Sequence, residues 1–304
     1  MCFNIPFRFF QVQTGNGVQR GSGMKIAVTG ASGKVGRYVV RELLEGGHQV
    51  LAVSNALWPG CPAEQAEVDI LDYEKVLETL KGCDAVVHLA ARPSPGNDDN
   101  PLVFRSNLAG TYHVVLAAGI LGIRRVAVAS SDCTLGFTWN HQVPVPLYLP
   151  VDEAHPAAPD NGYGLSKLLS ERACHALAQR FKGMSVASLR ISYVCEPSEY
   201  ERGSRFMGWT ENPGEGPWNL WSYIDARDSA RAFRMAVETD LGGHEVFCIA
   251  ADNSRVKLPS LELINRYYPD TVIKKPFTAN ESLEDNTKAR RLLRFTPRFR
   301  WDGC

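Results

Sequence analysis

Residues 29–36 read Thr-Gly-Ala-Ser-Gly-Lys-Val-Gly and place glycines at positions 30, 33 and 36. The stretch follows a short apolar segment, 25–29, and precedes residues in which valine and leucine recur at helical spacing. Glycine at these positions permits a tight turn, a close approach of the backbone to a pyrophosphate, and close packing of helix on strand. Free N–H groups at the start of the helix would then face the phosphates. The turn therefore predicts dinucleotide binding, with a purely structural glycine turn as the alternative.

Short apolar segments alternate with helical ones from Met24 onward. Strands are expected at 25–29, 49–53, 66–70, 85–89, 125–129 and 185–191. Helices are expected after the glycine turn and at about 73–80, 101–121 and 162–181. This alternation predicts an α/β fold, a Rossmann-type doubly wound parallel sheet with helices on both faces and a small C-terminal substrate-capping subdomain.

The chain is expected to contain one dinucleotide-binding domain and a smaller region that covers it. Residues 24–191 form the predicted Rossmann domain, and a strand, a helix and a further strand within 219–250 return to it. The region 192–304 is expected mainly to cap the substrate, with its tryptophans in the core of the cap rather than stacked on a ligand. Residues 1–23 include a glycine-rich tract and are expected to be a flexible extension that takes no part in the chemistry.

Charge and cysteine usage exclude several classes of protein. Lys plus Arg and Asp plus Glu both total 33, so no basic excess favours nucleic acid or an anionic membrane. The eight cysteines form no Cys-x-x-Cys pair and no zinc-ligand spacing with histidine. No apolar run approaches the roughly 20 residues that span a bilayer. We therefore expect a cytoplasmic protein with reduced thiols, no metal, and a small molecule as its partner.

Tyr163 and Lys167 lie four residues apart, which places them on one face of the predicted helix. A tyrosine ordinarily titrates near pH ~10, and a neighbouring cation favours its phenolate. Lys167 is therefore expected to lower the pKa of Tyr163 and make it an acid/base at neutral pH. Ser131 follows the strand 125–129, at the carboxyl edge of the sheet where ligands bind, and its hydroxyl could hold the reacting oxygen of a substrate. The order of these residues after the glycine turn favours catalysis over chance spacing.

The chain resembles the extended short-chain dehydrogenase/reductases, the NAD-dependent epimerase/dehydratase group. The resemblance covers about 24–250 and rests on the glycine turn, Asp69-Ile70, Val-Val-His-Leu-Ala-Ala at 86–91, Asn-Leu-Ala-Gly-Thr at 107–111, the Ser131 region, Tyr-Gly-Leu-Ser-Lys at 163–167 and Leu189-Arg190. It implies that Asp69 and Ile70 lie by the adenine and that Asn107 supports the active-site helix. It also implies a homodimer formed by the helix after Pro101 and the helix that carries Tyr163.

Motifs and resemblance together give a predicted site. The predicted catalytic residues are Ser131, Tyr163, Lys167 and Asn107. The residues predicted to contact the cofactor are Gly30, Ser32, Gly33, Lys34, Val35, Gly36, Ser54, Asn55, Asp69, Ile70, Leu89, Ala90, Ala91, Asn107, Tyr163, Lys167 and Ile191. Those predicted to contact the substrate are Ser94, Ser131, Asp132, Cys133, Tyr193 and Arg202. His88, in a buried strand, is expected to be a core histidine.

The choice between NAD and NADP depends on the end of the second strand. An acidic residue there would bind the ribose hydroxyls of NAD, but this chain has Ser54-Asn55. The missing carboxylate removes repulsion against a 2′-phosphate, and Lys34 or Arg37 could supply positive charge. This favours NADP over NAD. Both cofactors stay open, because Ser54 or Asn55 could also bind a ribose without a 2′-phosphate.

Within the group, the chain is most similar to uronate dehydrogenase and its sugar-oxidising relatives, through residues 129–137 and 161–167 and the Glu196-Pro197 turn. Those enzymes tend to have Asn-His after the catalytic serine, where this chain has Asp132-Cys133. An aspartate in the pocket would repel a substrate carboxylate. A neutral sugar, a lactone or another hydroxy or keto compound is therefore expected to be at least as good a substrate as a sugar acid. Two alternatives stay open: a nucleotide-sugar epimerase or dehydratase, and a non-catalytic dinucleotide sensor.

Overall fold

The computed structural model describes residues 23–96 and 101–303. Its strands are β1 (Lys25–Thr29), β2 (Gln49–Ser54), β3 (Glu64–Glu67), β4 (Ala85–His88), β5 (Arg125–Ser131), β6 (Tyr148–Leu149), β7 (Ser185–Ile191), β8 (Val194–Cys195), β9 (Ile224–Asp225), β10 (His244–Ile249) and β11 (Val272–Ile273). Its helices are α1 (Lys34–Glu45), α2 (Tyr73–Thr79), α3 (Pro101–Ile120), α4 (Gly162–Arg180), α5 (Arg205–Glu211), α6 (Ala226–Glu238), α7 (Ser260–Tyr267) and α8 (Thr287–Leu293). The expected extension falls outside the described residues, except for Gly23.

Seven strands form one parallel sheet in the order β10-β7-β5-β4-β1-β2-β3. Helices α1 and α6 cover one face, where Val39, Leu43 and Phe233 pack on the sheet. Helices α3 and α4 cover the other face, where Val114 and Cys174 are buried. Burial on both faces explains why the central strands are apolar throughout, and the predicted doubly wound fold is confirmed.

The third strand lies earlier in the chain than expected. It covers Glu64–Glu67, pairs with β2 at the edge of the sheet, and is mostly exposed. The apolar signal at Val68 and Ile70 that suggested a strand at 66–70 belongs instead to the loop that follows, where Val68 is buried. An edge strand needs apolar residues less than a central one, which is why apolar character misplaced it.

The chain after β7 contributes both to the sheet and to smaller units beside it. Strand β10 joins the main sheet next to β7, whereas β8 pairs with β9 and β6 pairs with β11 in two separate two-stranded sheets. The strand expected at 221–225 is only Ile224–Asp225, because Trp221 has a positive φ of 52°. Trp221 is fully buried against Tyr267 and Tyr268. This confirms the expectation that it packs in a core rather than on a ligand.

None of the helices in the described residues is long and apolar enough to cross a membrane.

Candidate active site

The glycine turn lies between β1 and α1 and brings three backbone segments together. Gly30 has a φ of +73°, and a Cβ atom there would lie 2.6 Å from the nitrogen of Ala90. A Cβ atom on Gly36 would lie 2.2 Å from the carbonyl oxygen of Gly30. Helix α1 begins without a side-chain cap at Gly33, which leaves its first N–H groups to other acceptors. The turn is therefore shaped as a cradle for an anionic group.

A cleft of about 480 Å³ opens at this turn, along the carboxyl ends of β1, β2 and β4. Of the predicted cofactor residues, its walls include Gly30, Ser32, Gly33, Lys34, Val35, Gly36, Ser54, Asn55, Asp69, Ile70, Leu89, Ala90, Ala91 and Asn107. Tyr163, Lys167 and Ile191 are not among the residues that line it. The sequence analysis missed Val53, Val68, Leu71, Arg92, Pro93 and Ser106, which are direct neighbours of predicted residues. Extending each motif by one or two positions would have found most of them.

Lys34 and Arg37, the two expected sources of charge for a 2′-phosphate, are placed differently. The Nζ atom of Lys34 donates to the carbonyl of Val194 at 2.7 Å and forms an ion pair with Glu199 at 2.5 Å. Its charge is thus already matched by a carboxylate. Arg37 is exposed, with Nε bonded to the carbonyl of Ser32 at 2.9 Å and its guanidinium 5.2 Å from the ring centre of Trp58. Lys34 lines the cleft but has its charge paired, whereas Arg37, outside the lining, contacts a carbonyl and an aromatic ring.

Asn107, on α3, connects the loop after β4 with α4. Its side chain accepts from the N–H of Arg92 at 2.8 Å and donates to the carbonyl of the same residue at 3.1 Å. It also donates to the Ser166 hydroxyl at 3.3 Å. Because Ser166 in turn bonds the carbonyl of Tyr163 at 2.7 Å, Asn107 fixes the first turn of α4 against the wall of the cleft.

Tyr163 and Lys167 lie on the buried face of α4, beside the end of β5. The Nζ atom of Lys167 donates to the carbonyl of Ala129 at 2.7 Å and lies 5.8 Å from the ring centre of Tyr163. Gly164 lets the helix approach closely, since a Cβ atom there would lie 2.7 Å from the carbonyl oxygen of Cys133. The structure thus brings Tyr163, Lys167 and the residues after β5 together at the carboxyl edge of the sheet.

The structure does not bear out the expectation that Lys167 lowers the pKa of Tyr163. Burial is the main influence and raises the pKa of Tyr163 well above its usual value, although the Ser131 hydroxyl acts in the opposite direction. Burial also lowers the pKa of Lys167, to about 8. The two side chains are both desolvated, and Lys167 directs its ammonium group to a main-chain carbonyl instead of the phenol.

Ser131 ends β5 and starts a 3-10 turn, Asp132–Leu135. Its hydroxyl donates to Oδ1 of Asp132 at 3.0 Å and accepts from the N–H of Cys133 at 3.2 Å. Burial raises the pKa of Asp132, while the hydrogen bonds from Ser131 and Cys133 oppose the shift. Burial also raises the pKa of the Cys133 thiol well above its usual value, which is unfavourable for a nucleophile.

The other predicted substrate residues differ in their positions relative to Ser131 and Tyr163. Tyr193 follows β7, donates its hydroxyl to Glu199 at 2.9 Å and stacks edge-on against Trp209. Ile191 pairs in register with Ser131 across the sheet. Arg202 is exposed in the turn before α5, and Ser94 is half-buried shortly before residues 97–100, which lie outside the described part of the chain.

The sequence analysis did not identify a group of buried charged residues that includes Arg190 and Glu171. Arg190 makes two hydrogen bonds of 2.8 Å to Glu171, and Glu171 also accepts from the Ser130 hydroxyl at 2.6 Å. Glu284 is buried in the same region. His88, as expected, is a core histidine held by Thr29 and Thr111, and burial lowers its pKa to about 3. Within the described residues no cluster of His, Cys, Asp and Glu could hold a metal ion.

The sequence matches the NAD dependent epimerase/dehydratase family over residues 26–250. The chain belongs to this family. The match includes the glycine turn, Tyr163 and Lys167, and strand β10.

Characterised relatives include both dehydrogenases and epimerases. L-arabinose 1-dehydrogenase (NAD(P)(+)) of Haloferax volcanii is 31% identical over 222 residues, which are 71% of this chain and 84% of that enzyme. Uronate dehydrogenase of Pseudomonas putida is 31% identical over 247 residues, covering 70% of this chain and 88% of the relative. UDP-glucose 4-epimerase of Bos taurus is also 31% identical, but only 60% of its length is covered.

Solved structures agree with the fold. MoeE5 in complex with UDP-glucose and NAD superposes with a TM-score of 0.68 at 25% identity, covering 92% of this chain and 95% of that one. A mutated uronate dehydrogenase superposes with a TM-score of 0.64 at 21% identity, covering 92% of this chain and 83% of the other.

Proposed function

We propose that this chain is an NAD(P)-dependent dehydrogenase that oxidises or reduces a hydroxyl or carbonyl group of a small sugar or a related compound. The observation that carries the proposal is the meeting of Ser131, Tyr163 and Lys167 beside a cleft that begins at the glycine turn. Two dehydrogenase relatives that are covered over 84% and 88% of their own length support the proposal.

The residues present fit a nicotinamide dinucleotide. Gly30 and Gly36 leave room that a Cβ atom would fill, and the uncapped start of α1 offers N–H groups for a pyrophosphate. Ser54 lines the cleft at the end of β2, where an adenine ribose or its 2′-phosphate would be bound, and the exposed Arg37 would supply the positive charge that favours NADP over NAD. When bound, the dinucleotide would accept or supply the hydride.

The other functions of the site would be supplied by side chains. Tyr163 would take the hydroxyl proton in oxidation and return it in reduction. Ser131, in contact with the phenol, would hold the reacting oxygen of the substrate. Lys167, held by Ala129, would bind the nicotinamide ribose, and Asn107 would keep α4 in place.

We propose that the substrate is a neutral sugar or lactone in preference to a sugar acid. Asp132 bonds Ser131 directly, so a substrate carboxylate close to Ser131 would meet a second acid. Tyr193 and the chain after β7, apart from β10, would form the wall of the substrate pocket and its cap.

We also propose a homodimer in the cytoplasm. Helices α3 and α4 expose Tyr112, Ile120, Leu165 and Leu169, which favours a second copy as their cover. Cysteines 61, 133, 174, 195 and 248 carry free thiols, as is usual in a reducing compartment.

A substrate panel tests the proposal. The protein would be incubated with NAD or NADP and a set of aldoses, lactones and uronates, and the absorbance of reduced nicotinamide would be followed. A dehydrogenase gives reduced cofactor in proportion to product. Sugar conversion without net cofactor reduction would point to an epimerase instead, and cofactor binding without any turnover would point to a sensor.

A further inference from the structure

The Glu199 carboxylate joins the dinucleotide cleft to the part of the chain that follows β7. It belongs to a 3-10 turn, Pro197–Tyr200. One of its oxygens, Oε2, accepts from Nζ of Lys34 at 2.5 Å and from the N–H of Glu196 at 2.8 Å. The other, Oε1, accepts from the Tyr193 hydroxyl at 2.9 Å. Because Lys34 lines the cleft at the glycine turn, one side chain bonds both a residue of the dinucleotide cleft and a predicted substrate residue.

Lys34 is held beside this carboxylate by more than the ion pair. Its Nζ atom also donates to the carbonyl of Val194 at 2.7 Å and lies 5.6 Å from the ring centre of Tyr193. Burial opposes the ionisation of Glu199, but the hydrogen bonds from Lys34, the Glu196 N–H and Tyr193 lower the pKa of the carboxyl below its usual value. The side chains of Lys34 and Glu199 are 38% and 24% exposed, so solvent screens the pair only in part.

Tyr193 continues the connection to a group of aromatic and basic side chains. Its ring stacks edge-on against Trp209, with 5.2 Å between the ring centres. The guanidinium groups of Arg205 and Arg255 lie 4.8 and 4.9 Å from the centre of the Trp209 ring. Arg255 is fully buried and donates to the side-chain oxygen of Asn219 at 3.0 Å. Each step from Lys34 through Glu199 and Tyr193 to Trp209 is therefore a direct contact.

We propose that Glu199 is a positioning residue that fixes the Tyr193 side of the substrate pocket and makes its position depend on Lys34. The inference rests on the proposed function, in which Tyr193 belongs to the wall of that pocket. The phosphates of a dinucleotide in the cleft would attract the Lys34 ammonium group. Because Val194 and Tyr193 also hold Lys34, the phosphates would share its charge with Glu199 and shift the carboxylate, Tyr193 and Trp209 together. Glu199 thus weakens dinucleotide binding by neutralising Lys34, and it strengthens substrate binding by holding Tyr193.

Glu199→Gln separates these two effects, because the amide keeps the shape of the side chain without its charge. The freed Lys34 ammonium group should strengthen the binding of both NAD and NADP about threefold to tenfold in a calorimetric titration. Since Tyr193 loses its fixed position, KM for the best substrate of the panel should rise about tenfold, with kcat changed less than about twofold. A purely structural role of Glu199 would instead weaken the binding of dinucleotide and substrate alike.

Two further variants provide the controls. Glu201→Gln removes the same charge from an exposed residue two positions further on, and it should keep the wild-type affinities. In a Lys34→Met background, Glu199→Gln should change the dinucleotide affinity less than about twofold, because no ammonium group is left to be freed.

A measurement without substrate follows the surroundings of Trp209. In protein labelled with 5-fluorotryptophan, Trp209→Phe identifies the fluorine resonance of this residue among those of the six tryptophans. NAD should shift the resonance in the wild type and in Glu201→Gln, but not in Glu199→Gln.

Three results would overturn the proposal: an equal shift of the Trp209 resonance in Glu199→Gln, NAD binding by that variant no tighter than in the wild type, or an unchanged KM. A wild type that turns over none of the sugar panel would contradict the proposed function instead. The NAD titrations and the Trp209 resonance would then still decide the role of Glu199.

Discussion

The two ends of the candidate site differ in the atoms that form them: main-chain atoms at one end and buried side chains at the other. The end at the glycine turn is mainly backbone, in which Gly30 and Gly36 allow the turn, the start of α1 and the loop after β4 to approach one another. The end near Tyr163 depends on buried side chains from distant segments, among them Asp132, Arg190 and Glu284. The geometry of the turn follows largely from the spacing of its glycines, whereas the burial of charge at the second end depends on the complete fold. The first end should therefore respond to steric changes and the second to changes of charge.

Removal of one charge at the second end should have the largest effect on stability. Arg190→Leu leaves the Glu171 carboxylate buried without its bidentate partner, and breaking such a pair costs about 3–5 kcal/mol. Denaturant unfolding would measure the loss. The double variant Arg190→Leu/Glu171→Met should recover much of it, because no unpaired charge remains. Equal destabilisation of the single and double variants would show that packing, and not charge, holds this end together.

A methyl group at the first end should act sterically. In Gly36→Ala the new Cβ atom would overlap the carbonyl oxygen of Gly30, so the cradle must open. We expect the affinity for the dinucleotide to fall about a hundredfold, roughly 2.7 kcal/mol, in a calorimetric titration. Gly208→Ala, where a Cβ atom meets nothing within 4 Å, is the control and should bind normally. Normal binding by Gly36→Ala would refute a cradle shaped by close backbone contact.

The different charge pairing of Arg37 and Lys34 should have a smaller effect, which concerns the choice between NAD and NADP. Arg37→Ala should weaken NADP binding about tenfold, roughly 1.4 kcal/mol, and leave NAD binding nearly unchanged. Lys34→Ala should not discriminate between the two cofactors, because its charge is matched by Glu199. Parallel titrations of both variants with both cofactors make the comparison. A selective loss of NADP binding in Lys34→Ala alone would reverse the assignment.

The smallest effect is expected in the pH dependence of stability. The raised pKa of Glu284 means that the folded chain binds a proton that the unfolded chain releases above about pH 4.5, the usual value of this group. Its contribution to stability is thus present at acidic pH and is lost as the pH rises toward the raised pKa. Thermal unfolding of Glu284→Gln should therefore be less sensitive to pH in this window. Identical pH profiles for variant and wild type would mean that Glu284 titrates normally.

The same contrast explains what could be predicted from the sequence. Strands β1 and β7 have the predicted bounds, and the cradle at Gly30 and Gly36 follows from the spacing of three glycines. Periodicity and turn chemistry are local, so a short window of sequence contains them.

The incorrect or missing predictions about charged groups depend on contacts between distant residues. Lys34 looked like a phosphate ligand until Glu199, 165 positions further on, neutralised it. Lys167 seemed aimed at Tyr163 but bonds the end of β5. Glu284 lies in a polar stretch with no motif, and only the folded chain shows that it is buried. Burial and pairing of charges are properties of the tertiary structure, and a single sequence does not contain a signal for them.

The most direct test of the central claim is the kinetics of Tyr163→Phe, compared with its cofactor binding. The variant keeps the ring that packs with Val103 and Cys133 and removes only the hydroxyl. With the best substrate of the panel, we predict that kcat falls about a hundred- to ten-thousandfold while the affinity for the dinucleotide is unchanged. Turnover by Tyr163→Phe close to that of the wild type would contradict the assignment of Tyr163 as the group that moves the proton.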